Sequence, residues 1–158
     1  MQTKEFMDVK IRLIEGIEEA PMELLLLADP SEKLVKEYLG RGQCFIATMN
    51  DEIIGVIVLI KTRPETVEIV NVAVREDHQN RGIGKKLVLF AIDKAREQQI
   101  KTIEIGTGNS GMSQLALYQK CGFRITGVDR EFFIRHYKEK IYENGIQVVD
   151  MIRLSLDL

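Results

Sequence analysis

The sequence predicts an α+β protein: an α/β/α sandwich on a mixed, mostly antiparallel β-sheet. The main observation is the order of strand-like and helix-like segments, β-α-α-β-β-β-α-β-α-β-β, which is typical of such a sandwich. The length of 158 residues is that of one domain, so we expect a single domain over residues 1–158. A hydrophobic content of 45% and a charged content of 29% are ordinary for a globular chain.

The N-terminal part predicts one strand and two helices. Apolar and polar residues alternate over Val9–Gly16, as in a strand with one buried face. A short helix is expected over residues 18–29. Asp29 is the predicted N-cap of the next helix, because Pro30 stands at the first helical position and Glu32 completes a capping box.

The rest of the chain alternates strands with two longer helices. QCFIATMN and IIGVIVLIK are predicted to form a hairpin around a tight turn at Asp51–Glu52, and FFIR is predicted to end a strand. Asn144–Gly145 is a strong turn signal before the last strand. The remaining segments are strands over residues 66–74, 101–108, 123–128 and 147–158, and helices over residues 82–99 and 110–122.

Charge and composition exclude several classes of function. A net charge of −2 and a pI near 5.8 give no general attraction to nucleic acid or to an anionic membrane. The apolar run Ile53–Ile60 is far shorter than the roughly 20 residues that span a bilayer. No apolar signal segment is visible in the first ten residues, and Cys44 and Cys121 show no metal-like spacing. We therefore expect a cytoplasmic protein with reduced thiols and no metal.

The first glycine-rich stretch, QNRGIGKK from Gln79 to Lys86, follows a strand and opens the longest predicted helix. A helix N-terminus presents unpaired N–H groups and the positive end of the helix dipole, and glycines let a phosphate approach the backbone closely. The stretch is neither a Walker A loop nor a full dinucleotide fingerprint. By itself it fits an anion site and a plain loop-to-helix turn equally well.

The second stretch, GTGNSG from Gly106 to Gly111, fits the dinucleotide pattern Gly-x-Gly-x-x-Gly. Asp129 lies where a ribose-binding acid would stand. The segment after the pattern is too short for the repeated βαβ units of a dinucleotide fold. A flexible connection after a strand that diverges from its neighbour is the alternative interpretation.

The run VAVREDHQNRGIGKKLV resembles the acetyl-CoA-binding motif of the GNAT N-acetyltransferase superfamily, Arg/Gln-x-x-Gly-x-Gly/Ala. Gln79, Gly82 and Gly84 occupy its positions. Asn109 and the helix segment LALYQKCGF follow in the order and at the separation that the family shows. The resemblance is strongest over residues 65–123.

The resemblance implies that the Gln79–Lys85 loop binds the pyrophosphate of acetyl-CoA. It also implies a bulge near Asn71–Val74, a splay between the fourth and fifth strands, and a pantetheine arm bonded to Val72 and Val74. The N–H groups near Val72–Ala73 would receive the developing oxyanion, and Asn109 would contact the pantetheine amides. The implied cofactor-binding residues are Val72, Ala73, Val74, Gln79, Asn80, Arg81, Gly82, Ile83, Gly84, Lys85 and Asn109.

Two catalytic residues follow from the same resemblance. Tyr118 occupies the position of the general acid that protonates the leaving thiolate, with a packed core aromatic as the alternative. Glu68 stands where several members place a general base, with an exposed strand charge as the alternative. His136, Tyr137 and Glu139 are candidates for the acceptor pocket or for a surface turn.

The predicted function is acetyl transfer from acetyl-CoA to a small-molecule or peptide amine. Glu68, Glu139 and Glu143 at the mouth of the cleft would favour a cationic acceptor. A non-catalytic acyl-CoA sensor and a nucleotide-binding oxidoreductase built on GTGNSG are the alternatives. Exposed C-terminal strands also suggest a homodimer.

Overall fold

The structure is a computed structural model that describes residues 8–158. Within this range the helices are α1 (Met22–Ala28), α2 (Glu32–Arg41), α3 (Ile83–Glu97), α4 (Met112–Lys120) and α5 (Phe132–His136), with single 3-10 turns at Ile17–Glu19 and Glu76–His78. The strands are β1 (Lys10–Leu13), β2 (Gln43–Met49), β3 (Glu52–Arg63), β4 (Thr66–Val74), β5 (Thr102–Gly108), β6 (Arg124–Asp129), β7 (Ile141–Glu143), β8 (Ile146–Val148) and β9 (Met151–Asp157).

Seven of these strands form one sheet in the order β1-β2-β3-β4-β5-β9-β6. Every neighbouring pair is antiparallel except β4 and β5, which run parallel. Strands β7 and β8 form a separate hairpin. The prediction of a mixed, mostly antiparallel sheet is therefore confirmed.

The sheet has an apolar core on each face. On one face α1 and α2 pack against the sheet through Leu25 and Val35, which meet β2 and β3 residues such as Ile46. On the other face α3 and α4 pack through Leu87 and other apolar side chains against residues such as Ile103. Because both faces are covered, the central strands read as nearly continuous apolar runs in the sequence.

A gap opens in the sheet between β4 and β5. Residues Thr66–Ile69 of β4 pair with residues Thr102–Ile105 of β5. Beyond this point the two strands no longer pair, although β4 continues to Val74 and β5 to Gly108. The register of β4 against β3 shifts between Ile69 and Asn71, so Val70 is an extra residue that forms a bulge. The predicted splay is confirmed, and the bulge lies one residue before the expected segment Asn71–Val74.

The cap of α2 differs from the prediction. Asp29 is the C-cap of α1, and its side chain accepts the N–H of Ser31. Ser31 is the N-cap of α2, and its hydroxyl accepts the N–H of Leu34. The capping box predicted at Asp29 is therefore wrong, because the short Asp29 side chain instead accepts a backbone hydrogen bond from the segment between the two helices.

We expect Ser31→Ala to lower the free energy of unfolding by about 1 kcal/mol, because it leaves the first turn of α2 without its side-chain cap. Chemical denaturation measures this change. Glu32→Ala is the matched control, since Glu32 would be the second residue of the predicted capping box. Loss of stability in Glu32→Ala alone would contradict the observed cap.

Three further local expectations are corrected by the backbone. The β2–β3 turn is Asn50–Asp51, whose positive φ angles of 53° and 64° suit a tight hairpin, and β3 begins at Glu52. The segment FFIR is helical in α5. The last predicted strand is split into β8 and β9, and Asn144–Gly145 forms the β7–β8 turn as expected.

In residues 8–158 no helix is both long and apolar enough to cross a membrane. The prediction that no signal segment begins the chain falls largely on residues 1–7, which lie outside the described residues.

Candidate active site

Past Ile69, the backbone N–H groups on the edge of β4 that faces the gap have no partner strand within residues 8–158. The N–H of Arg75 donates to the carbonyl of Ile54 on β3 at 2.8 Å. Successive N–H groups of a strand point to opposite edges, so those of Val72 and Val74 face the gap and that of Ala73 faces β3. The Gln79 side chain donates to the Val74 carbonyl at 3.0 Å and joins the loop to this edge.

The loop after β4 delivers the N-terminus of α3 to the open end of the gap. Asn80 and Gly82 both have positive φ angles, 63° and 80°, and Gly82 is an N-cap without a side-chain hydrogen bond. The first N–H groups of α3 therefore lack a side-chain cap. Arg81 and Lys85 add positive charge at the same end, so the arrangement suits an anion such as a pyrophosphate.

The two glycine stretches differ in why they need glycine. A Cβ on Gly84 would lie 3.8 Å from Val74 and 3.8 Å from Leu117, which is ordinary contact. A Cβ on Gly106 would meet Met151 at 2.6 Å, and one on Gly108 would meet Val148 at 2.5 Å. The close approach of Val148 on β8 therefore explains Gly108, and the Met151 side chain on β9 limits the space at Gly106, whereas packing within the protein does not explain Gly84.

Asn109 holds the connection between β8 and β9. Its side-chain oxygen accepts the N–H groups of Val149 at 2.7 Å and Asp150 at 3.1 Å, and its nitrogen donates to the Gln147 carbonyl. One N–H of the amide remains for a ligand. The predicted contact with pantetheine would have to use that group.

Tyr118 is the one buried residue of α4, and its ring lies edge-on to Phe123 with 6.4 Å between centroids. Burial raises its pKa, with a smaller contribution from Cys121. The hydroxyl therefore stays protonated at neutral pH, as a proton donor must. Its burial also fits the alternative role of a packed core aromatic.

Glu68 lies on the paired part of β4, before the bulge, with its side chain 18% exposed. Burial raises its pKa, and the nearby Arg153 lowers it by a smaller amount. Arg153 on β9 contacts Glu68 at 3.5 Å and Asp129 at 3.5 Å. Glu104 is the cross-strand neighbour of Glu68 on β5. No local pattern in the sequence marks Arg153, because β9 approaches β4 only in the folded sheet.

A polar cluster on the α1/α2 face of β4 is likewise not marked by any local pattern in the sequence. It consists of Asp29, Tyr38, Asn71 and Tyr137, and all but Tyr137 are buried. Asp29 accepts hydrogen bonds from Tyr38 at 3.1 Å and from Tyr137 at 2.9 Å. Asn71 was the available signal, because it is an amide inside an otherwise apolar strand segment.

The other acceptor candidates are more dispersed. His136 is exposed at the end of α5 and contacts the Phe132 ring, with 4.5 Å between centroids. Glu139 is exposed. Glu143 is also exposed and contacts Ser110 at 3.4 Å, beyond β5. In the described part of the chain, no group of three or more side chains could hold a metal ion.

The parallel strands β4 and β5 separate into a gap, and α3 begins with a glycine-containing turn at the open end of that gap. This is the architecture of an acyl-CoA-dependent transferase, as the motif resemblance implied. The model of the acetyltransferase (GNAT) family matches residues 13–123. The chain belongs to this family and is an acetyltransferase.

Similar proteins cover nearly the whole chain. The uncharacterised N-acetyltransferase YvbK of Bacillus subtilis (strain 168) is 59% identical over 150 residues, which are 95% of this chain and 97% of that protein. A crystal structure of a Bacillus subtilis acetyltransferase in complex with CoA is 59% identical with a TM-score of 0.90, covering 95% of this chain and 99% of its own. A GNAT acetyltransferase from Elizabethkingia anophelis with acetyl-CoA bound is 47% identical with a TM-score of 0.93, covering 96% and 99%.

Proposed function

We propose that this acetyltransferase moves an acetyl group from acetyl-CoA to a primary amine by direct attack. The observation that carries the proposal is the continuous path from the Val72 N–H along the open edge of β4 to the N-terminus of α3. The solved relatives with CoA and acetyl-CoA support the choice of cosubstrate.

The chain's own groups would hold the cosubstrate at both ends. The α3 N-terminus and the Gln79–Lys85 loop would bind the pyrophosphate, and the Val74 N–H and the Val72 carbonyl would bind the pantetheine amides in the manner of an extra strand. Of the N–H groups predicted near the oxyanion, that of Val72 faces the gap, so we assign it this role in place of Ala73.

Transfer requires three proton movements, two of which side chains could serve. The ammonium form of the amine must first lose one proton to solvent water, and the nitrogen lone pair then attacks the thioester carbon while the C=O π electrons move to the oxygen. As the C–N bond forms, a second proton leaves the nitrogen, and Glu68, directly or through water, is the proposed acceptor. The C–S bond then breaks and its electron pair goes to sulfur, where Tyr118 is the proposed donor of a proton.

We propose that the acceptor is cationic before it is deprotonated. Two partly or fully buried carboxylates, Glu68 and Asp29, lie on the α1/α2 face of the sheet. The loop-to-helix anion site lies at the other end of the gap, so amine and cosubstrate would meet near the bulge. Fixed negative charge there would raise the local concentration of an ammonium group.

A panel of amines tests the proposal. CoA release would be measured with putrescine, spermidine, phenethylamine, free lysine and an alanine-terminated peptide, and the product would be identified by mass spectrometry. We expect at least one cationic amine to yield its monoacetyl amide. Tight binding of acetyl-CoA with no product from any amine would favour the sensor alternative, and stabilisation by NAD but not by CoA would favour the oxidoreductase.

We expect Glu68→Gln to remove the acidic limb of the kcat/KM–pH profile that belongs to the base. Because burial raises the pKa of Glu68, this limb should lie above the range of an ordinary glutamate, with the rate rising as Glu68 loses its proton. The affinity for acetyl-CoA should not change, since the substitution preserves shape.

Glu104→Gln is the matched control, because Glu104 faces Glu68 across the parallel pair and raises its pKa by like-charge repulsion. This control should move the limb to lower pH without removing it. An unchanged profile in Glu68→Gln would exclude Glu68 as the base.

A further inference from the structure

Asn71 occupies the position on β4 where the sheet opens. It follows the Val70 bulge, lies past Ile69, the last residue of β4 that pairs with β5, and is 3% exposed. The next residue, Val72, carries the N–H that faces the gap. Consecutive Cα atoms are about 3.8 Å apart, so a group bound at that N–H lies close to Asn71.

The orientation of the Asn71 amide is set by its partners. Its nitrogen donates to the Leu25 carbonyl at 2.9 Å and to the Tyr38 hydroxyl at 2.9 Å. A carbonyl can only accept, so the nitrogen and not the oxygen must face Leu25. The amide cannot flip without placing two oxygens against each other.

Asp29 determines which way the Tyr38 hydroxyl points. Burial raises the pKa of Tyr38, and the charge of Asp29 raises it by a smaller amount. The hydroxyl therefore keeps its proton and donates a hydrogen bond to Asp29. Its oxygen is then available to accept from Asn71. Asp29 also accepts from Ser31 and from Tyr137, which ties the α5–β7 segment to the same cluster.

One group of this cluster has no partner. Among the described residues, the side-chain oxygen of Asn71 is the buried nitrogen or oxygen atom that makes no hydrogen bond. A buried acceptor without a donor is costly, and native proteins keep such atoms where a water or a ligand supplies the donor. Leu25 and Tyr38 bind the opposite edge of the amide, so the oxygen is directed away from them.

We propose that the Asn71 side-chain oxygen accepts an N–H hydrogen bond from the acceptor amine and positions its lone pair toward the thioester carbon. This inference rests on the proposed function. A primary amine suits the position, because one hydrogen can bond to Asn71 while a second leaves to the base as the C–N bond forms. Asp29 and Tyr38 act through Asn71 as positioning residues, since they hold its amide in one orientation.

The test compares Asn71→Leu, which has similar size but no amide, with Val58→Ala. Val58 is the cross-strand partner of Asn71 and is buried in the same core, so its truncation destabilises that core without removing a polar atom. The probe is the amine of the panel that wild-type enzyme acetylates fastest.

Asn71→Leu should lower kcat/KM for this amine roughly tenfold to a hundredfold, while the Kd for acetyl-CoA stays within about twofold. Val58→Ala should lower the melting temperature but leave kcat/KM for the amine within about twofold. Wild-type kcat/KM in folded Asn71→Leu, or a loss that appears equally in acetyl-CoA affinity, overturns the proposal.

A crystal structure of the wild-type protein with CoA and the same amine is the second measurement, which does not depend on a variant that folds. The amine nitrogen should lie within about 3.2 Å of the Asn71 oxygen. If that oxygen instead bonds to CoA, to a protein donor or to a water that the amine does not displace, the proposal fails. If wild-type enzyme acetylates no amine, the proposed function fails independently of Asn71.

Discussion

Gly84→Leu is expected to raise the Kd for acetyl-CoA a hundredfold or more in a protein that remains folded. A Cβ at Gly84 would lie at contact distance from both Val74 and Leu117, so a longer side chain would crowd the first turn of α3, where the pyrophosphate is proposed to bind. Two charge-assisted bonds to the pyrophosphate are worth about 1.5–3 kcal/mol each, so the Kd should rise a hundredfold or more. Isothermal titration with acetyl-CoA measures this change.

Gly108→Ala is the matched control for this experiment. The added methyl would meet Val148 at 2.5 Å, so overpacking should lower the free energy of unfolding by about 1–3 kcal/mol. The folded fraction should still bind the pyrophosphate. Normal affinity in Gly84→Leu together with loss of affinity in Gly108→Ala would transfer the phosphate site to the second glycine stretch.

Tyr118→Phe is expected to lower kcat roughly a hundredfold or more, with little change in the Kd for acetyl-CoA. The substitution keeps the ring that packs against Phe123 and removes only the hydroxyl. Because the pKa of Tyr118 is raised, its ionisation should not affect the rate near neutral pH. Single-turnover measurements of thiol release separate this step from product dissociation.

A wild-type turnover rate in Tyr118→Phe would make Tyr118 a packing residue and leave protonation of the sulfur to water. Tyr142→Phe is the control for loss of a tyrosine hydroxyl, because Tyr142 is 62% exposed on β7 and lies outside the proposed site. This control should keep the wild-type rate.

The proposed acetyl-CoA site could be located in the sequence because its residues are close together in the chain. Gly82, Gly84 and Lys85 lie within one loop and the first turn of one helix, and the preceding strand is continuous with them. Local spacing therefore predicts an arrangement that suits an anion without knowledge of distant contacts. The mixed sheet could be predicted for a similar reason, since the order of strands and helices limits the ways in which they pack.

The contacts on the proposed acceptor side could not be predicted, because its groups meet only in the folded chain. Tyr137 donates to Asp29 across 108 residues, and Arg153 reaches Glu68 from the last strand. Asp29 was interpreted as a helix cap for the same reason, since a local pattern cannot show that two tyrosine hydroxyls will bind the same carboxylate.

The fold class, the family and the helix that begins between Gly82 and Gly84 all follow from the sequence alone. The set of polar side chains on the face of β4 that α1 and α2 cover depends on the tertiary structure. Strict alternation would place Glu68 and Asn71 on opposite faces of the strand, because they are three residues apart. The extra residue at Val70 reverses this parity, so Asn71 bonds to α1 and α2 on the Glu68 face. A bulge depends on pairing with the neighbouring strand, which a single strand's sequence does not encode.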